Sequence, residues 1–239
     1  MKNFKRMLGF SLLEMAVVML ILGLLLTGLL PTLSAQVEQQ RIVETRKQLN
    51  EIRDALLGFA VSQGRLPCPA ESGLAIENNA GLEAVSGVGA NLVCASNRGV
   101  LPWATLGVPE TDAWGRRYSY RVTATFADGE DGTAASCAMP SSVSFQLCSL
   151  GNLTVLKTAG GAKVSDNVPV VVVSHGQNGW GAYTPQGKQL AGATGDEAEN
   201  VDNNNTFVSK EFGVTYDDLV LWLSPPILMN RMVAAGKLP

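Results

Sequence analysis

The chain has 239 residues, 46% of them hydrophobic and only 16% charged, with a formal net charge of −3. That length fits one domain of ordinary size or a little more. Charge so sparse, beside 25 Gly and 11 Pro, argues against a coiled coil, and the apolar content argues against wholesale disorder. A net acidic chain also lacks the electrostatic footprint of a protein that grips nucleic acid through its phosphates.

The charge is unevenly spread. Lys2, Lys5 and Arg6 give residues 1–9 a charge of +3, residues 15–37 hold no charged side chain, and residues 64–239 carry 11 Lys and Arg against 16 Asp and Glu, a net −5. The stretch Phe10–Leu30, FSLLEMAVVMLILGLLLTGLL, is long enough to cross a bilayer as a helix, which takes about 20 apolar residues. By the positive-inside rule the basic residues before it stay cytoplasmic and the body crosses. A secretory signal peptide cut near Ser34-Ala35 is the plainer reading. Against it, the apolar run is long and carries Glu14 close to its start. A carboxylate in hydrocarbon costs about 3 kcal/mol or more, so it requires a partner, a proton or a place at the interface.

Gly9-Phe10-Ser11-Leu12-Leu13-Glu14, after a basic leader and before an uninterrupted apolar run, resembles the start of type IV pilins and pseudopilins. The resemblance implies a leader, Met1–Gly9, removed after Gly9 by a prepilin peptidase, and N-methylation of the new terminal Phe10. It implies a pilin-like fold and, as partners, other pilin or pseudopilin subunits, an inner-membrane assembly platform and a separate cytoplasmic ATPase. Pro31 falls where many members have a helix-bending proline. Glu14 then becomes the assembly residue, pairing with the Phe10 amine of a neighbouring subunit. Inside an apolar bundle such a pair is little screened, and removing one partner strands a charge.

The helix continues from residue 35 to 63 as an amphipathic one. Ile42, Leu49, Ile52, Leu56 and Phe59 keep one face apolar, and Gly64 and Pro67 stop it. Gly23, Gly28 and Pro31 are its expected weak points. From Gly64 the pattern shifts to short apolar runs. Arg117–Thr125, Val143–Leu147, Leu153–Lys157, Val168–Ser174 and Leu219–Leu223 read as strands. Long polar loops, 70–91 and 176–205, separate them, and a short helix over Ile227–Ala235 follows the last. The class is α+β: a leader 1–9, a transmembrane and assembly helix 10–34, an amphipathic helix 35–63, and an antiparallel β-rich head 64–239.

Cys68, Cys94, Cys137 and Cys148 all lie beyond the membrane segment, where topology places them in an oxidising compartment. Four cysteines allow three pairings. Cys68–Cys94 and Cys137–Cys148 are favoured because each brackets one loop. A zinc site is the competing reading, but no CxxC pair exists and His175 is the only histidine.

Leu101-Pro102-Trp103 followed by Asp112-Ala113-Trp114-Gly115-Arg116-Arg117-Tyr118 is similar to the Asp-Pro-Trp-Gly…Tyr turn of major pseudopilins. Ser174-His175-Gly176-Gln177-Asn178-Gly179-Trp180-Gly181 is similar to their Ser-x-Gly-x-Asp-Gly-x-Gly loop, which with nearby acids binds calcium. Here Asn178 stands for the aspartate, Ala113 for the proline, and a long insert follows Gly181. The calcium candidates are Asp196, Glu197, Glu199 and Asp202, an acidic run among asparagines whose oxygens suit that ion. Solvated loop acids are the alternative, as for the turn Asp128-Gly129-Glu130-Asp131-Gly132. No other cofactor is implied.

No Gly-x-Ser-x-Gly, Walker A, dinucleotide fingerprint or HExxH is present, so no enzyme is expected. The reading is a pseudopilin or minor pilin, held in the inner membrane by a single pass with its head in the periplasm, then assembled into a type II secretion pseudopilus or type IV pilus-like filament. A membrane-anchored monomeric binding or adhesin domain that never polymerises is the alternative.

Overall fold

The computed structural model describes residues 11–75, 79–129 and 143–238, and among these the side chains of all but 25–33 and 90. The leader Met1–Gly9, Phe10, Glu130, Asp131 and Cys137 lie outside the described residues. The chain divides into two units, Met1–Arg41 and Ile42–Pro239, and one helix, α1 (Leu12–Gln63), contributes to both. Gly23, Gly28 and Pro31 do not interrupt it.

In the first unit the helix starts on a serine N-cap. The Ser11 hydroxyl accepts the Glu14 amide at 3.2 Å, satisfying one of the donors that every helix leaves open at its start. Every described side chain from Leu12 to Leu24 is exposed. Among the described residues no helix is long and apolar enough to cross a membrane. The expected span, 10–34, falls partly outside them, since residue 10 and the side chains of 25–33 are not described.

In the second unit the helix is one-sided. Leu49, Ile52 and Leu56 are buried, as the apolar stripe predicts, but Ala60 takes the next place while Ile42 and Phe59 are only half-buried. Two polar residues help dock the same stretch. Thr45 accepts the Ala113 amide at 3.3 Å, and the Tyr118 hydroxyl donates to Gln48 at 2.7 Å. Gly64, at φ 73°, then ends the helix in the left-handed turn that glycine adopts without strain.

In chain order the head holds β1 (Val85–Ser86), β2 (Val93–Cys94), β3 (Arg98–Val100), α2 (Trp103–Leu106), β4 (Ser119–Val122), α3 (Ala124–Ala127), β5 (Leu153–Leu156), β6 (Lys163–Val168), β7 (Val170–Ser174), α4 (Asp196–Glu199), β8 (Thr206–Val208), β9 (Leu219–Leu223) and α5 (Pro225–Ala234). The main sheet is antiparallel, ordered β3-β4-β7-β9. A second sheet, β6-β5-β8, adds one parallel pair, β5 with β8.

The main sheet is covered on both faces. Tyr120, Val122, Val170 and Val172 point into a core shared with Leu49, Ile52 and Leu56 of α1 and Leu228 and Met232 of α5. The alternate residues Val171 and Val173 pack with Leu153, Val155 and Phe207 of the second sheet. That two-sided burial is why β7 reads as an unbroken valine run rather than an alternation.

Several expectations change. The strand read over Val168–Ser174 divides at Pro169, with Val168 closing β6 in the second sheet and Val170–Ser174 forming β7 in the first. The strand read over Arg117–Thr125 contracts to Ser119–Val122, because Ala124–Ala127 coils into α3. Val143–Leu147 is not a strand. The Ser144 amide and hydroxyl bond to the Gly64 and Thr125 carbonyls at 2.9 and 2.8 Å, so its backbone serves loops, while Val143 and Phe145 plug the core. Strands β3 and β8, only three residues each, and β6, which is largely polar, were not expected. Leu219–Leu223 forms as read, and the last helix starts two residues earlier, with prolines in its first turn.

Cys68 and Cys94 form a disulfide, with Cα atoms 5.3 Å apart. Cys148 is also disulfide-bonded.

Candidate functional site

The turn before β4 organises the head's loops. Asp112 is buried and its carboxylate accepts the Trp114 and Arg116 amides, each at 3.0 Å, and the Ser174 hydroxyl at 2.6 Å. Burial still holds its pKa above the ordinary carboxylate range. Arg116 reaches across to donate to the carbonyls of Gly176 and Gln177 at 2.6 and 2.9 Å. Arg117, fully buried, pairs with Glu110 at 2.8 Å, donates to the Leu74 and Pro185 carbonyls, and lies over the Trp103 ring at 4.5 Å. The residues of the first recognised motif are therefore a structural hub, and their product is the position of the loop after β7.

That loop, 174–181, turns so tightly that a Cβ on Gly176, at φ 55°, would stand 2.1 Å from the Asp217 carbonyl oxygen. Asn178 is aimed by the turn. Its amide donates to Asp217 Oδ2 at 2.8 Å, and its side-chain nitrogen donates to both oxygens of Glu197 at 3.0 Å. The Asp217 amide returns to Glu197 Oε1 at 3.0 Å. Asn200, buried behind, donates to Asp218 Oδ2 at 2.7 Å and exchanges bonds with the backbone of Val208.

The result is a cluster of three carboxylates, Glu197, Asp217 and Asp218, with ligand oxygens all within 4.8 Å of one another. Oδ1 of Asp217 and Oδ1 of Asp218 are buried and have no hydrogen-bond partner among the described residues. Burial first, and the neighbouring acids second, push Asp217 up to about 6 and hold Asp218 well above the usual range. Three hard oxygen donors, two of them carrying unused buried oxygens, fit a hard divalent cation.

Of the four acids singled out from the sequence, only Glu197 joins this cluster. Asp196 pairs with Lys210 and accepts the Ala159 amide; Glu199 accepts from Asn204 and Thr206; Asp202 accepts the amide and side chain of Asn204. These three brace the loop on itself. Asp217 and Asp218 were missed. Their one signal is a pair of adjacent acids directly before an apolar strand.

His175 also stands here, fully buried. Its Nε2 lies 2.7 Å from Ser119 Oγ, and its Nδ1 lies 3.8 Å from Asp218 Oδ1, too far for a hydrogen bond. Burial, with Arg116 adding, lowers its pKa to about 4, so the ring is neutral at physiological pH. Ser119, His175 and Asp218 thus form one link of a nucleophilic triad without the second.

The other sequence-predicted site is at the N-terminus. Glu14 is exposed in the first turn of α1, the lone acid among exposed apolar side chains. Gly9 and Phe10 lie outside the described residues. No curated protein and no solved structure matches the chain. Residues 4–30, however, match the family described as the prokaryotic N-terminal methylation motif, and the chain carries the prepilin-type signal of type IV pilins and pseudopilins.

Proposed function

We propose that the protein is a structural subunit, a pseudopilin or minor pilin, of a type II secretion pseudopilus or type IV pilus-like filament. Prepilin peptidase cuts it after Gly9, the new Phe10 is N-methylated, and the subunit waits in the inner membrane with its head in the periplasm. The methylation motif at 4–30 carries this reading. Two features support it. A helix apolar on every side needs to be buried in lipid or among its own kind, and Glu14 is the one acidic residue on that stretch, suited to pair with the Phe10 amine of a neighbour. Cys137–Cys148 is the second disulfide of the head in this reading.

The test is intact-mass spectrometry of the protein from its own membranes, without reductant, together with a filament assay of Glu14→Leu. Loss of Met1–Gly9 with one added methyl, and a variant that is processed but fails to assemble, are the expected results. A full-length mass refutes the reading and leaves a monomeric anchored domain, whereas normal assembly of Glu14→Leu refutes the assembly role of Glu14.

The unused carboxylate oxygens favour a second element. Glu197, Asp217 and Asp218 would hold a calcium ion, which would cross-link α4 and the start of β9, with Asn178 bringing the loop after β7 against both. Its role is to stiffen the face of the head that these loops form.

A further inference from the structure

The face of the main sheet turned toward the second sheet carries an arrangement that the filament reading does not use. Arg98 on β3 and Arg121 on β4 are direct partners in register. Two like charges directly opposite on neighbouring strands destabilise the pair. Arg121 is also buried, with 6% exposure, and among the described residues its guanidinium donates only to the Asn204 carbonyl. Arg98 is exposed, and its guanidinium makes no hydrogen bond or ion pair among the described residues. Burial and the Arg98 charge both work against the charge on Arg121, and Asp202 only partly offsets them.

Both arginines line a cavity of about 550 Å³, within the range of small-molecule sites. Its floor is apolar, from Val171, Val173 and Phe207. Ser119, two residues before Arg121 on the same face of β4, adds a hydroxyl held by His175 at 2.7 Å. Two guanidinium forks over an apolar floor present a planar, charged grip beside a surface that rewards burial.

We propose that this cavity binds a small organic anion, its carboxylate or phosphate held between Arg98 and Arg121 and its apolar part lying on Val171 and Phe207. The anion's charge offsets the cross-strand repulsion between the two arginines, and the site belongs wholly to the head.

Isothermal titration of the full chain in a non-ionic detergent tests it, with benzoate, phenyl phosphate and inorganic phosphate as probes. Saturable one-to-one binding of benzoate or phenyl phosphate is expected, and whichever binds more tightly identifies the acid group. Arg98→Glu, an exposed change that leaves the fold alone, should weaken that binding at least about tenfold. Arg121→Ala should do the same, but it removes a buried side chain, so Arg98→Glu decides. The proposal is overturned if neither organic probe saturates below about 10 mM, if Arg98→Glu leaves the affinity unchanged, or if inorganic phosphate binds as tightly as phenyl phosphate.

Discussion

Adding or removing calcium is the perturbation that interrogates the three-carboxylate cluster most directly. The ligand oxygens of Glu197, Asp217 and Asp218 lie within 4.8 Å of one another. At that outer limit two full charges repel by roughly 3.5 kcal/mol at an effective dielectric constant of about 20. Burial raises that cost further for Asp217 and Asp218, and a divalent cation supplies the counter-charge that relieves it. At a free calcium concentration about 100 times the dissociation constant, binding stabilises the fold by about 2.7 kcal/mol. For a unit of this size each kcal/mol moves Tm by about 2–4 °C, so the expected rise is roughly 5–11 °C. The assay is scanning calorimetry of the full chain in non-ionic detergent, with chelator and then with calcium. Magnesium, which demands a tight octahedral shell, should give a smaller shift. Asp218→Asn keeps an oxygen for Asn200 while removing one of the crowded charges. It should melt no lower than the parent in chelator and lose most of the calcium response. Equal melting of the parent with and without calcium, or a full response in Asp218→Asn, refutes the cation reading.

Three further outcomes rest on the head's construction. Replacing Cys68 and Cys94 together by alanine opens a loop of sequence separation 26 and should cost about 3.5 kcal/mol by the loop-entropy relation, read from urea unfolding with the other cysteines intact. Arg117→Lys keeps the charge but loses the fork that serves Glu110 and two carbonyls at once, and should cost about 2–4 kcal/mol in the same assay. Ile52→Ala, at a helix position with no exposure, should cost about 2–5 kcal/mol through the cavity it leaves; a loss below about 1 kcal/mol would mean that α1 is not seated on the sheet as described.

The helix and the strands with apolar runs were legible because each has one dominant cause. Leu49, Ile52 and Leu56 repeat at the helical period, and Val170–Val173 is valine throughout because both faces of β7 are covered. Val143 and Phe145 misled for the same reason. Alternating apolar residues announce burial, and only the destination of the Ser144 hydrogen bonds shows that the partner is a loop. In the site, the Ser174–Gly181 turn was readable from its glycines, but its partners were not. Glu197 and Asp217 are far apart in sequence and meet through the Asp217 amide, which donates to Glu197, and through Asn178, whose side chain reaches one and whose amide reaches the other. Asp196, Glu199 and Asp202 look like better ligands on composition, yet lysine, threonine and asparagine neighbours had already claimed their oxygens.

The join between β6 and β7 has a consequence for how the head comes apart. Val168 pairs with Leu153 in the second sheet, and Val170, just past Pro169, pairs with Val122 and Leu223 in the first. With a single residue between the two ladders, neither sheet can peel away while the other keeps its register. The sheets form one cooperative unit, so amide protons in β5 and β7 should exchange with solvent through the same global opening.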